Sequence, residues 1–247
     1  MVFDTGMSRR VNGTNHEDTS SPHHPALLQA VGLCRSAGNC VLLDDVSLSI
    51  RGGDRIAIVG PTGSGKTLLL RSLAMLDRID AGELRWHGKR MRRNEIPTLR
   101  SQVVYLQQRP TLLEGTVEDN LRHPFTLRNH KDKRFDRGRI AEWLSLLNRD
   151  DSFLQKSQRD LSGGELQFTA LLRAIQIEPR VLLLDEPTAA LDSASTKAVE
   201  TLVTKWLDEM PSARATVWVT HNHEQAVHVS ESVFQVSNGK LSRGDYG

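Results

Sequence analysis

Gly60-Pro61-Thr62-Gly63-Ser64-Gly65-Lys66-Thr67 fits the phosphate-binding pattern G-x-x-x-x-G-K-[ST]. Arg55-Ile56-Ala57-Ile58-Val59 before it is short, apolar and β-branched, which predicts a buried parallel strand. Leu68-Leu69-Leu70, Leu73 and Leu76 follow at helical spacing. The motif therefore stands between strand and helix, where its glycines turn backbone N–H groups inward and the helix N-terminus adds partial positive charge. Gly60, Pro61, Thr62, Gly63, Ser64, Gly65, Lys66 and Thr67 are the expected nucleotide cradle. Lys66 is placed to reach the β- and γ-phosphates and Thr67 to offer a hydroxyl to Mg²⁺.

The 247 residues suffice for one large α/β domain with a full core. Apolar residues at 38% and charged residues at 25% are ordinary for a globular chain, and a net charge of +2 carries almost no information about partners. Cys34 and Cys40 have no second pair nearby, so neither a zinc site nor a disulfide framework is expected, and a reducing compartment fits. No run approaches the roughly 18 apolar residues that span a bilayer, and the N-terminus lacks the apolar segment of a secretory signal, so a soluble chain is expected. Residues 1–25 are polar and read as a disordered tail. His16, His23 and His24 lie in it without a completing carboxylate or cysteine cluster and receive no role.

Working outward, Leu27 to Val31 reads as a strand, and Val46, Leu48 and Ile50 alternate with polar residues as a second. These give an antiparallel start on a parallel core. Gly82 to Lys89 reads as a hairpin turning at His87-Gly88, and Val233 to Leu241 as another turning at Asn238-Gly239. Basic runs at 85–100 and 122–139 contain acids and no interleaved aromatic stacking pattern, so they read as solvated faces, with lipid headgroups as the weaker alternative. Val103 to Leu106 reads as a buried strand delivering Gln108 to the sheet edge where α/β folds bind ligands. From spacing alone, Gln108 is either a ligand-side amide touching Mg²⁺ or water, or an ordinary loop side chain.

Two further stretches carry chemistry. In Leu161-Ser162-Gly163-Gly164-Glu165, Ser162 is a good N-cap and the glycines expose backbone N–H groups. It is either a helix cap alone or an anion site completing the cradle of another copy of the chain. Val181-Leu182-Leu183-Leu184-Asp185-Glu186 is an apolar strand closing on two carboxylates. Strand alternation would send these acids to opposite sides, Asp185 to the water shell of Mg²⁺ and Glu186 to an attacking water as general base. Thr216 to Thr220 is one more strand, delivering His221 to the same edge, where it can bond the γ-phosphate; His223 and His228 read as solvent or capping residues.

Together these motifs resemble the ATP-binding cassette (ABC) family, the nucleotide-hydrolysing subunits of ABC transporters, over about 26–247. Residues 60–67 match the Walker A loop, Gln108 the Q-loop glutamine, residues 161–165 the signature, residues 181–186 the Walker B strand, Ala190-Leu191-Asp192 the D-loop and His221 the switch histidine. Gln108 is preferred to Gln107 because the family places a proline two residues after its glutamine, as Pro110 stands here. The resemblance implies a P-loop NTPase cassette with a mixed parallel core sheet, an antiparallel β subdomain and an α-helical subdomain at about 109–175. It implies ATP and Mg²⁺ as cofactors, with Thr67, Gln108 and Asp185 on the metal side and Glu186, His221, Lys66 and Gln108 in catalysis. ATP would lie between residues 60–67 of one subunit and Ser162, Gly163 and Gly164 of the other, in a homodimer or pseudo-dimer of cassettes. The partner would be an integral-membrane permease, with no nucleic acid, and the chain would be cytoplasmic and peripheral on the inner face of the cell membrane. The 108–121 segment and the Glu165 signature look most like the small bacterial two-component group that includes iron exporters. A soluble single-cassette clamp in cofactor assembly, DNA repair or translation is the rival reading. The chain departs from the family in three places: no aromatic near Leu33 to stack adenine, Phe168 where an Arg commonly follows the signature, and Gln107 before the Q-loop glutamine.

Overall fold

The computed structural model describes residues 26–244, so the tail reading for 1–25, with His16, His23 and His24, lies outside the described residues. The chain opens with β1 (Ala26–Ala37) and β2 (Cys40–Arg51), crosses to β3 (Arg55–Val59), and enters α1 (Lys66–Leu73). β4 (Ala81–Trp86) and β5 (Lys89–Arg90) then return to the first pair, giving an antiparallel sheet in the order β2-β1-β4-β5. α2 (Ile96–Gln102) leads into β6 (Val103–Leu106), followed by α3 (Val117–Arg122), α4 (Arg137–Leu146) and α5 (Gly163–Ile175). The remainder is β7 (Val181–Asp185), α6 (Ser193–Asp208), β8 (Ala215–Val219), α7 (His223–Val229), β9 (Ser232–Ser237) and β10 (Lys240–Arg243). The second sheet runs β10-β9-β3-β8-β7-β6, parallel throughout except for the β9–β10 hairpin.

β3, β7 and β8 are apolar almost without interruption because they lie inside that sheet and are covered on both faces; every residue of β7 and β8 is buried. Alternation along β7 divides the core. Leu182 and Leu184 join α4, α5 and α6 on one face, while Val181 and Leu183 join α1 and the antiparallel sheet on the other. Leu69, Leu70 and Leu73 of α1 are fully buried between the two sheets, each burial stabilising by about 1.5–3 kcal/mol. β6 corrects one expectation: it is the sheet edge, so Val104 and Tyr105 are half-buried rather than enclosed.

The two expected hairpins form, with Asn238 and Gly239 both at positive φ. The helical face of Val199, Leu202, Val203, Trp206 and Leu207 is buried as its spacing requires. The basic run at 122–139 is largely a solvated face as expected, with Arg122, Arg128, Lys131, Arg134 and Arg137 exposed, and several of its charges are also paired. Arg122 and Arg137 both pair with Glu118, Arg139 with Glu178 and Glu209, and the Arg122 and Arg139 guanidiniums lie over Phe135 and Trp143. These charges hold the helices between β6 and β7 to one another and to the ends of α5 and α6. No helix among the described residues is long and apolar enough to cross a membrane.

Candidate functional site

β3, β6, β7 and β8 are parallel neighbours or near neighbours, so their C-terminal ends reach one edge of the sheet. After β3 the chain makes the loop 60–67, with Gly60, Gly63 and Gly65 at φ of 146°, 78° and 109°. Side chains at two of these would strike backbone: a Cβ at Gly60 would lie 2.2 Å from the Val236 carbonyl oxygen, and one at Gly65 2.8 Å from that of Leu42. No side chain caps α1, which leaves its first turn open to an anion. Lys66 is buried and arches over the loop, donating from Nζ to the carbonyls of Gly60 (2.8 Å) and Pro61 (2.9 Å). Burial pushes its ammonium below the ordinary lysine value, against the pull of the Glu186 and Asp185 carboxylates. Thr67 is exposed beside it.

Glu186 sits at the centre of the edge. Gln108 Nε2 donates to its Oε2 at 2.7 Å, and His221 Nε2 lies 2.5 Å from its Oε1. Gln108, Glu186 and His221 are thus gathered from three different strand ends. One expectation is corrected: β7 ends at Asp185, and Glu186 is already in a left-handed turn at φ 48°, its amide donating to the Val219 carbonyl. The turn, not strand alternation, separates the two carboxylates. Asp185 is buried and takes a bond from the Tyr105 hydroxyl at 2.8 Å. Burial, then the bond to Asp185, pushes the Tyr105 phenol well above its ordinary value, so it remains a donor. Sequence reasoning missed Tyr105; its only signal is a polar group inside an otherwise apolar strand next to the one that ends in acids.

Ser162 caps α5 as expected, and it does so reciprocally: its hydroxyl accepts from the Glu165 amide at 3.3 Å while the Glu165 carboxylate accepts from the Ser162 amide at 3.0 Å. Ser162 and Gly163 are exposed at the helix tip. His223 begins α7 and has bonding partners, and His228 lies 3.7 Å from Glu200. Two of the three departures from the family pattern have a structural account, Leu33 and Phe168. Leu33 is fully buried in the core, so it cannot meet a base, and the neighbouring Arg35 pairs with Asp80 at 3.0 Å. Phe168 is buried in the helical core with the Arg149 guanidinium 5.4 Å above its ring.

Residues 43–189, more than half of the chain, match the model of the family described as ABC transporter. The chain belongs to the ABC transporter family. Among its curated relatives, the "Probable iron export ATP-binding protein FetA" of Escherichia coli (strain K12) is 34% identical over 221 residues, covering 89% of this chain and 96% of FetA. The "Sulfate/thiosulfate import ATP-binding protein CysA" of Bordetella pertussis is 36% identical over 220 residues, covering 87% of this chain and 61% of CysA. Among solved structures, the ATP-binding cassette MJ0796, a dimer in a post-hydrolysis state bound to ADP and Pi, superposes with a TM-score of 0.76 at 26% identity, covering 87% of this chain and 97% of that one. As a member of the ABC transporter family, this chain is an ATP-binding subunit and an ATPase, and the fold described above is that of the ABC cassette.

Proposed function

We propose that two copies of this ABC subunit close head to tail over two ATP molecules, and that closure and hydrolysis drive an integral-membrane permease from the cytoplasmic face. The observation that carries the reading is the Glu186 carboxylate gripped by Gln108 and His221 at the strand ends that also deliver the phosphate loop. Each nucleotide would lie on residues 60–67 of one copy, with Ser162, Gly163 and Gly164 of the other facing its γ-phosphate. The dimeric state of MJ0796 with ADP and Pi supports the pairing. Glu186 would take the proton of the attacking water, His221 would orient both, and Lys66 would stabilise charge on the β- and γ-phosphates.

The donor set suits Mg²⁺. One buried carboxylate at Asp185, one hydroxyl at Thr67 and the amide oxygen of Gln108 are hard oxygen ligands, too few for a protein cage and adequate for an ion that keeps waters and phosphate oxygens. When bound, Mg²⁺ would neutralise charge building on the phosphates. Tyr105 holds Asp185 in orientation for that role. Tyr105→Phe is expected to raise the Mg²⁺ concentration for half-maximal hydrolysis about tenfold or more, from the loss of one charge-assisted hydrogen bond. ATP affinity measured in EDTA should not change, and an unaltered Mg²⁺ titration would dismiss the role.

The helices between Gln108 and Asp160 are the proposed permease dock. Relatives' names divide between iron export and sulfate or thiosulfate import, which fits a cassette that leaves cargo and direction to its membrane subunit. Detergent extraction with the permease encoded beside this chain tests the reading. A stable complex whose permease stimulates ATP turnover is expected; a complex with soluble proteins alone would favour the clamp.

A further inference from the structure

The tip of α5 carries a carboxylate where the preceding reading needs an anion. Glu165 is at the third helical position, 11% exposed at its side chain, with one oxygen committed to the Ser162 amide. A full negative charge there opposes the partial positive charge of the helix end, about half an elementary charge, and would repel an incoming phosphate. Its other oxygen, Oε1, takes the Lys156 ammonium at 2.8 Å, and the Arg149 Nε lies 3.7 Å from it.

Both cations are fixed from elsewhere. The Lys156 carbonyl accepts from the Val117 amide at 3.0 Å, tying it to the start of α3. Arg149 follows the end of α4, and its guanidinium lies over Phe168, three residues on from Glu165 on the same face of α5. Burial works to raise the Glu165 carboxyl, and Lys156 with the Ser162 amide outweighs it, holding the group ionised below the usual glutamate value. With both cations in place the cluster of three charges sums to +1 rather than −1.

We propose that Lys156 and Arg149 are positioning residues that cancel the Glu165 charge, letting the tip of α5 receive the phosphate of a nucleotide held by a facing copy. This rests on the head-to-tail reading. It assigns to two residues outside every motif a share in the partner's site, and it explains how a carboxylate is tolerated there.

The test uses the full chain carrying Glu186→Gln, with dimerisation followed by light scattering against ATP concentration and ATP binding to the monomer followed at high dilution. Adding Lys156→Gln is expected to weaken ATP-dependent dimerisation about tenfold or more, the worth of a charge-assisted hydrogen bond, and to leave monomer ATP affinity unchanged. Lys156→Arg should restore the wild-type curve within about threefold. Arg149→Gln should have the smaller effect, since its contact is longer, 3.7 Å against 2.8 Å for Lys156. The deciding variant is Lys156→Gln with Glu165→Gln. Glutamine keeps the reciprocal cap but carries no charge, so dimerisation should return. A merely structural role predicts that this double variant is worse than Lys156→Gln and melts lower, which would overturn the proposal. Unchanged dimerisation in Lys156→Gln would overturn it too, with the sandwich intact. If the Glu186→Gln chain itself forms no dimer with ATP, the head-to-tail reading fails and this inference falls with it.

Discussion

Glu186→Gln is expected to lower ATP turnover about 10²–10⁴-fold, the usual worth of a positioned general base. The substitution conserves shape, and a glutamine oxygen can still accept from Gln108 Nε2, which now bonds Glu186 Oε2 at 2.7 Å. What disappears is an atom able to take a proton from water. The nucleotide contacts proposed for residues 60–67 are untouched, so ATP should still bind and closed dimers should accumulate instead of turning over. Phosphate release and light scattering, each with and without ATP, check both halves of the expectation. Turnover within tenfold of wild type would remove Glu186 from the role of base. In the present conformation both carboxylate oxygens are engaged, one by Gln108 and one by His221. Each oxygen keeps a second acceptor site and the side chain is partly exposed, so a water can approach Glu186 while Gln108 and His221 hold its orientation.

The second large effect is expected at Lys66. Lys66→Ala should weaken ATP binding about 10- to 150-fold, the range for losing a charged hydrogen-bond donor. Two losses combine: the charge proposed to face the β- and γ-phosphates, and the bonds to the Gly60 and Pro61 carbonyls that hold the shape of the loop. Binding of ATP by calorimetry measures it, and an affinity within threefold of wild type would contradict the loop assignment. The same residue gives a pH dependence. A triphosphate favours the ammonium over the amine, so affinity is full below the Lys66 value and is lost as pH rises through it. Because burial lowers that value, the loss should begin at a lower pH than for an ordinary lysine.

What the sequence disclosed and what it concealed divide along the range of the interactions. The phosphate loop, the apolar strands and the Ser162 cap are local: strand, glycine turn and helix follow one another within a few residues, and each signal is complete in its own window. Burial was legible in outline because β7 and β8 are apolar at all but one position each, yet β6, almost as apolar, is an edge strand, and nothing in four residues tells an edge from a centre. Contacts across sheets and helices had no local signal. Tyr105 meets Asp185 because parallel pairing sets Tyr105 beside Leu183 and brings its hydroxyl to the strand end. Phe168 looked like a defect in the signature, and the fold shows it as a buried ring roofed by Arg149. The separation of Asp185 from Glu186 was expected for the wrong reason, since a left-handed residue after a strand is invisible to alternation.

That left-handed turn bears on how the protein could be engineered. A glutamate at φ 48° carries a backbone cost of about 1 kcal/mol or more, which glycine avoids and asparagine reduces. Replacing Glu186 by either would relax the chain while deleting the proposed proton acceptor. A library ranked on melting temperature alone would therefore enrich sequences that fold better and no longer spend ATP, and any stabilisation campaign has to hold this one uncomfortable residue fixed.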